Sequence, residues 1–257
     1  MKLFTLLIMA FTFNLNAQVD PNASLRGAGS APSGTCHNCT TDNDHEISGL
    51  SLPTTRPRRG SRPYFNPACQ SFIKADGSYG EWGKYITDYI SGNEKRKNDF
   101  FSNAILGMES APKTCPNWGT LSEAAKMKFW VWMMSSIAQV ESSCDPRQIN
   151  LDRNVPDIYN RPVGLFQLNE KNSRTKPRRW RGDNCNFPDG TEATMDPRNN
   201  TLCAIGIMYH YVKSPRGQYS SQRKIFPTNS YWEKLRSGTG GPIGQLIRQY
   251  PPCGATP

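Results

Sequence analysis

The stretch that most constrains this chain is TLSEAAKMKFWVWMMSSIAQVESSCDP, residues 120–146. Read at helical period, Met127, Trp130, Val131, Met134, Ile137 and Ala138 fall on one apolar stripe at i, i+3, i+4, i+7 spacing. Phe129, Trp132, Met133 and Val140 load the other side, so neighbours are expected to enclose this helix on most faces. Thr120 with Glu123 reads as a capping box, and Asp145-Pro146 as a stop. A helix of this kind implies a bundle built around it.

Glu141 breaks the pattern. Advancing roughly 100° per residue, it lands within roughly 20° of Met134, in the middle of the stripe. Carboxylates are rarely buried without a partner, and Trp, Met and Ile offer none. Desolvation disfavours the charged form, and the negative end of the helix dipole opposes a further negative charge. A neutral carboxylic acid at a pocket edge is what general acid catalysis requires. The bland alternative is a solvated glutamate in a last helical turn.

The first residues set the compartment. Lys2, an apolar run from Leu3 to Phe13 and then Asn14-Leu15-Asn16-Ala17 form a signal-peptide pattern over residues 1–17, cut after Ala17. The run is too short to span a bilayer, no later stretch is long and apolar enough, and no cysteine follows the cut to carry a lipid. The mature chain is expected to be exported, secreted or periplasmic, with no stable membrane insertion. Eight cysteines in an exported chain read as disulfides. Their pairing cannot be deduced, though Cys144 is placed to tie down the end of the central helix. Cys36-His37-Asn38-Cys39 could be half a zinc site, but no second pair matches it and the chain has three histidines. No metal or organic cofactor is expected.

The net charge of +10 suits an anionic partner: nucleic acid, an acidic membrane or an acidic wall polymer. Export disfavours nucleic acid, so the runs Arg56-Pro57-Arg58-Arg59 and Lys176-Pro177-Arg178-Arg179-Trp180-Arg181 read as solvated basic faces.

Residues 18–66 are rich in Gly, Ser, Thr, Pro, Asn and Arg and read as an extended arm. The folded domain is expected to occupy residues 67–257, about 190 residues, enough for a single core. Trp82, Tyr85, Ile86, Tyr89 and Ile90 mark an amphipathic helix ended by Ser91-Gly92-Asn93. Phe101, Ala104, Ile105 and Met108 suggest a second, closed by Ala111-Pro112. Asp196-Pro197 is an N-cap followed by proline at the first helical position, continued by Leu202, Ile205, Tyr209 and Val212. Tyr231-Trp232-Glu233 opens a short helix, and Ile243, Leu246, Ile247 and Tyr250 mark the last. Val163-Gly164-Leu165-Phe166-Gln167-Leu168-Asn169 reads as a strand or a tight turn. The fold class is mainly α, with a small β content confined to residues 147–195.

Three separated pieces then resemble one family. Glu141-Ser142-Ser143-Cys144-Asp145-Pro146 is similar to the Glu-Ser-x-x-x-Pro motif of soluble lytic transglycosylases and goose-type lysozymes, within the lysozyme-like superfamily. Gly164-Leu165-Phe166-Gln167-Leu168 resembles their Gly-Leu-Met-Gln-Leu motif. Asp196-Pro197 through Asn200, with Gly206 and Tyr209, resembles their Asp-Pro-x-x-Asn helix. The likeness covers residues 120–215 or so. It implies an α+β lysozyme-like fold and cleavage of the β-1,4 bond between muramic acid and glucosamine in peptidoglycan, by a monomer acting on glycan strands. By the same resemblance Glu141 would protonate the glycosidic oxygen and Ser142 would steady that carboxyl or the sugar. Gln167 would hydrogen-bond the glycan, and Phe166 would stand as an apolar wall where the family has methionine.

The chain also departs from the family. Its Ala-Tyr-Asn motif is missing in recognisable form; Tyr231 is the best substitute for the tyrosine, with Tyr209 and Tyr211 behind it. Arg161-Pro162-Val163 stands where the family places small residues, and that bulk would narrow an N-acetyl pocket and favour de-N-acetylated glycan. A hydrolase uses two carboxylates; a lytic transglycosylase manages with one, closing a 1,6-anhydro ring. The blurred tyrosine motif and the acid-rich loops favour hydrolysis. Candidate second carboxylates are Asp145, Asp152, Asp157, Glu170, Asp183 and Glu192. Two other classes stay open: a non-catalytic wall-binding protein on this fold, and a secreted cysteine protease, for which His37, His45 and His210 lack a nucleophile context.

Overall fold

A computed structural model of the chain describes residues 47, 49–55, 64–109, 114–150, 161–169, 183–186, 190–213 and 223–254. Backbone contacts divide the chain into Met1–Cys39 and Thr40–Pro257, and every described residue belongs to the second unit. Residues 1–46, with Cys36 and Cys39, both basic runs, Asp152, Asp157 and Glu170 lie outside the described residues, as do Ala111-Pro112.

The described residues are mainly helical. In order they form α1 (Glu81–Ser91), α2 (Glu94–Phe100), α3 (Glu123–Ser142), α4 (Thr191–Met195), α5 (Pro197–Val212) and α6 (Pro242–Ile247), with 3₁₀ helices at Pro67–Ser71, Trp118–Thr120, Glu233–Gly240 and Pro251–Cys253. Helix α3 is the axis, packed against α6 and α1, while α5 lies against α1, α2 and α4. Its midsection from Lys128 to Ala138 is buried all round. Fully burying each large apolar side chain contributes about 1.5–3 kcal/mol, and α3 buries Phe129, Trp130, Val131, Trp132, Met133, Met134 and Ile137, so the core depends heavily on it.

Indole N–H groups inside a core need acceptors. Those of Trp118, Trp130 and Trp132 donate to Ser102 O, Phe100 O and Leu246 O at 3.0, 2.9 and 2.9 Å. Trp130 and Trp132 therefore also fix the ends of α2 and α6 against α3, and Trp118 ties its 3₁₀ turn to the chain that follows α2. Lys128, 3% exposed, donates to the carbonyls of Ile47 and Gly77 and thereby holds residue 47 to α3. Ile47 and Leu52 are buried as well, so chain before Pro67 packs on the core. Asp99 joins α2 to α5, accepting from Tyr209 Oη at 2.9 Å and from Arg223 Nη2 at 2.8 Å.

Three local expectations are corrected. The N-cap of α3 is Ser122, whose Oγ accepts from Ala125 N at 3.2 Å; Thr120 belongs to the preceding 3₁₀ turn and donates to Asn117 O instead. The second helix is α2, not Phe101–Met108. Asn93 caps Arg96 N and starts it early, and Ile105 and Met108 are buried from turns. Of the isolated β-bridges, Ile149–Val163 and Val163–Leu168 fall in the expected region, while Ile73–Tyr79 and Leu106–Lys224 lie outside it.

Among the described residues, disulfides join Cys69 to Cys144, Cys115 to Cys253 and Cys185 to Cys203. The first pins the end of α3, as the position of Cys144 suggested. Cys115–Cys253 spans 138 residues and ties the approach to α3 to the chain's last turn. Replacing both of its cysteines by serine is expected to lower the unfolding free energy by about 2–5 kcal/mol. Urea denaturation reads this directly; an unchanged midpoint would mean that the bond constrains nothing.

Candidate active site

Helix α3 ends abruptly. Ser143 and Cys144 both take left-handed backbone, φ 56° and 61°, and their N–H groups return to Gln139 O and Ala138 O. Two consecutive non-glycine residues in that region are costly, and the Cys69 bond holds the second. The reversal leaves Glu141 in the last turn, partly buried.

Facing that end is a tight hairpin. Val163 and Leu168 exchange backbone hydrogen bonds at 3.0 and 2.9 Å, closing the four-residue turn Gly164-Leu165-Phe166-Gln167. Gly164 (φ 77°) admits no side chain: a Cβ there would sit 2.6 Å from Asn200 Nδ2. Buried side chains from every motif satisfy the backbone of this segment. Ser142 Oγ donates to Leu165 O at 2.8 Å. Asn200 accepts from Phe166 N at 2.9 Å and donates to Val163 O at 3.3 Å and Thr194 O at 2.7 Å. Trp232 Nε1 donates to Phe166 O at 3.0 Å. Tyr231 Oη accepts from Asn169 N at 2.8 Å and donates to Gln167 O at 3.2 Å.

The predicted site residues thus come together, with duties the sequence did not reveal. Ser142 spends its hydroxyl on Ala138 O and Leu165 O, joining helix to turn rather than steadying a carboxyl. Phe166 is fully buried, edge-on to Phe72 and beside Trp232, so its ring is core and not a cleft wall. Gln167 has φ 48°, and its Nε2 donates to Gly164 O and Gln148 O, committing that nitrogen to the turn. Tyr231 braces the turn, and its own N–H donates to Tyr211 Oη at 2.7 Å. Tyr209 lies instead in the Asp99 cluster.

Burial pushes the Glu141 carboxyl up to about 7; the Lys234 charge pulls the other way and the Glu233 charge adds to the rise. Desolvation outweighs the neighbouring cation, so about half of the acid keeps its proton at neutral pH and most of it does below. Burial raises the Tyr231 hydroxyl and the Glu141 charge adds to that rise; Tyr231 and the residue after Glu141 hydrogen-bond the same turn. Glu233 was legible only as a helix start and Lys234 not at all; only their distance of two and three residues from Tyr231 could have flagged them as neighbours of the acid. The described second-carboxylate candidates are occupied elsewhere or exposed. Asp145 accepts from Arg147 N, Asp183 meets Tyr89 and His210, and Glu192 is an exposed residue in the first turn of α4.

A separate cavity of about 430 Å³, lined by Leu50, Leu121, Ser122 and Pro251 among others, sits at the opposite end of α3. At 1.5 Å per residue it is roughly 28 Å from Glu141 and takes no part in this chemistry. Among the described residues no cluster of three or more His, Cys, Asp or Glu could hold a metal ion, and no helix is long and apolar enough to cross a membrane.

The turn yields a sharp test. Asn200→Ala leaves buried donors and acceptors unmade and is expected to lower stability by roughly 2–3 kcal/mol. Asn200→Asp places an acceptor against the carbonyls of Val163 and Thr194. Its deficit should be larger at pH 7, with the carboxylate ionised, than at pH 4, where a protonated acid can donate. Denaturant midpoints at both pH values read this, and wild-type midpoints throughout would refute the role given to Asn200.

Residues 121–232 match the family model described as Transglycosylase SLT domain. That span holds all three motifs, the bracing Tyr231 and Trp232. No curated protein sequence matches the chain. Among solved structures, wild-type DslA (form 2) is similar at 19% identity and TM-score 0.46, covering 70% of this chain and 93% of that chain. Two glutamate-to-glutamine mutants of DslA stand at 20% and 19% identity, with TM-scores 0.44 and 0.46 and the same coverage. The match over residues 121–232, a little under half of the chain, indicates an enzyme that cleaves glycosidic bonds, of the lytic transglycosylase or lysozyme-like kind.

Proposed function

We propose that the protein is an exported muramidase that cleaves the β-1,4 bond between muramic acid and glucosamine, with Glu141 as general acid. The observation that carries this reading is a carboxyl raised to about 7 by burial, at the helix end that Ser142 ties to the turn, inside the span that matches an SLT domain. The neutral acid donates its proton to the glycosidic oxygen as the bond to the muramoyl carbon breaks, and the resulting carboxylate then faces an oxocarbenium-like sugar. Ser142, Phe166, Gln167 and Tyr231 serve substrate binding by fixing the turn that borders the acid. Water completes hydrolysis. A second reading rests on the family match: in the lytic transglycosylase route the sugar's own 6-hydroxyl attacks, Glu141 takes its proton, and a 1,6-anhydro end results.

Preference for de-N-acetylated glycan belongs to the same proposal. Val163 is buried, so the bulk turned toward a sugar's C2 substituent would come from Arg161 and Pro162, which are partly exposed. Three disulfides and a leader-like start suit action outside the cytoplasm on the cell wall. The net charge of +10 suits attraction to an acidic wall. We take the protein to be a monomer that needs no cofactor and binds neither nucleic acid nor membrane.

Glu141→Gln should keep binding to sacculi and lose at least about 100-fold in turnover; undiminished cleavage would place the chemistry elsewhere. Mass spectrometry of the digest assigns the route, with reducing ends expected and 1,6-anhydro ends favouring the second reading. Faster release from deacetylated than from acetylated sacculi is expected, and equal rates would remove the preference.

A further inference from the structure

The 3₁₀ helix Glu233–Gly240 opens beside the acid. Trp232 and Leu235, three residues apart, are buried, while Glu233 and Lys234 are exposed. The backbone that presents them is held firmly. Tyr231 N–H donates to Tyr211 Oη, Tyr231 Oη bridges to the turn, and Ser230 O accepts from Arg236 Nε and Nη2 at 3.0 and 2.9 Å. Lys234 has no ion pair and no side-chain hydrogen bond among the described residues. An uncommitted ammonium therefore stands three residues beyond the tyrosine that touches the turn. Its charge is felt at Glu141 more strongly than that of Glu233.

On the muropeptide glycan the hydroxyls and acetamides are neutral; negative charge resides on the lactyl arm of the muramoyl residue and the peptide it bears. We propose that Lys234 is a substrate-binding residue that engages a carboxylate carried on that arm. The inference rests on the peptidoglycan reading above. A lysine ammonium is a compact point charge that accepts an anion from many directions, which suits a flexible arm. Pairing would also offset the cation that opposes protonation of Glu141, so a bound carboxylate firms the acid's hold on its proton.

The test uses the full exported chain on three substrates: intact sacculi, peptide-stripped strands with free lactyl carboxylates, and those strands with the carboxylates converted to methylamides. Lys234→Met should raise KM about two- to fivefold on carboxylate-bearing substrate, as for an exposed ion pair, and leave it unchanged on the methylamide strands. Lys234→Arg should restore it. For wild type, the basic limb of kcat should lie at higher pH than that of kcat/KM on charged substrate, a gap that closes in Lys234→Met. An effect on intact sacculi alone assigns the peptide carboxylates; one on stripped strands assigns the lactyl carboxylate. Equal KM changes on charged and neutralised strands would overturn the proposal. Wild-type enzyme that cleaves none of the three would overturn the peptidoglycan reading and this one with it.

Discussion

Four residues of backbone, Gly164 to Gln167, must have their polar groups satisfied away from water, and the geometry around Glu141 follows from how that is done. Backbone bonds meet part of this: Val163 pairs with Leu168, Gln167 N donates to Gly164 O, and Gly164 N donates to Gln148 O. The rest is met by Ser142 from α3, Asn200 from α5, and Tyr231 and Trp232 from the chain leading into a 3₁₀ helix. Each buried polar group left unmade costs about 1–3 kcal/mol. Losing two or three would remove much of a net stability of about 5–15 kcal/mol. Segments far apart in sequence are thus compelled to meet at one place, and that place borders the acid.

The acid itself is the product of two opposed effects. The apolar packing that makes α3 a good axis also strips water from its last turn, and this raises the Glu141 carboxyl. Lys234 moderates the rise without cancelling it. Were Glu141 one turn further along, it would stand past the left-handed reversal at Ser143 and Cys144, where Ser143 and Asp145 are exposed. The reversal and the Cys69–Cys144 bond therefore decide where the buried helix stops and the chemistry starts.

Much of this was legible in the sequence. The period of Met127 to Ala138 gives the buried axis, and Asp196-Pro197 gives the start of α5, because both signals are local and repeated. The acid at position 141 was readable because it interrupts that period. The duties of Ser142, Gln167 and Phe166 were not, since a polar side chain aimed at a carbonyl 23 residues away has the same letter as one aimed at a sugar. Phe166 lines up with a family position and yet turns into the core, packed on Phe72 from a distant 3₁₀ segment. Glu233 and Lys234 carried no motif and became visible only through their tertiary closeness to Glu141. The early start of α2 was masked because Phe101, Ile105 and Met108 keep helical spacing, though Phe101 caps α2 and Ile105 and Met108 bury themselves from turns.

The central claim is that the fold keeps one carboxyl neutral until a glycan arrives. Titrating Glu141 directly, by carbon NMR of the labelled side-chain carboxyl with Glu141→Gln to assign the signal, tests it without any substrate. The account predicts a midpoint near 7. A midpoint near the ordinary 4.5 would mean that the carboxyl is solvated and ionised at neutral pH, and it would contradict the account.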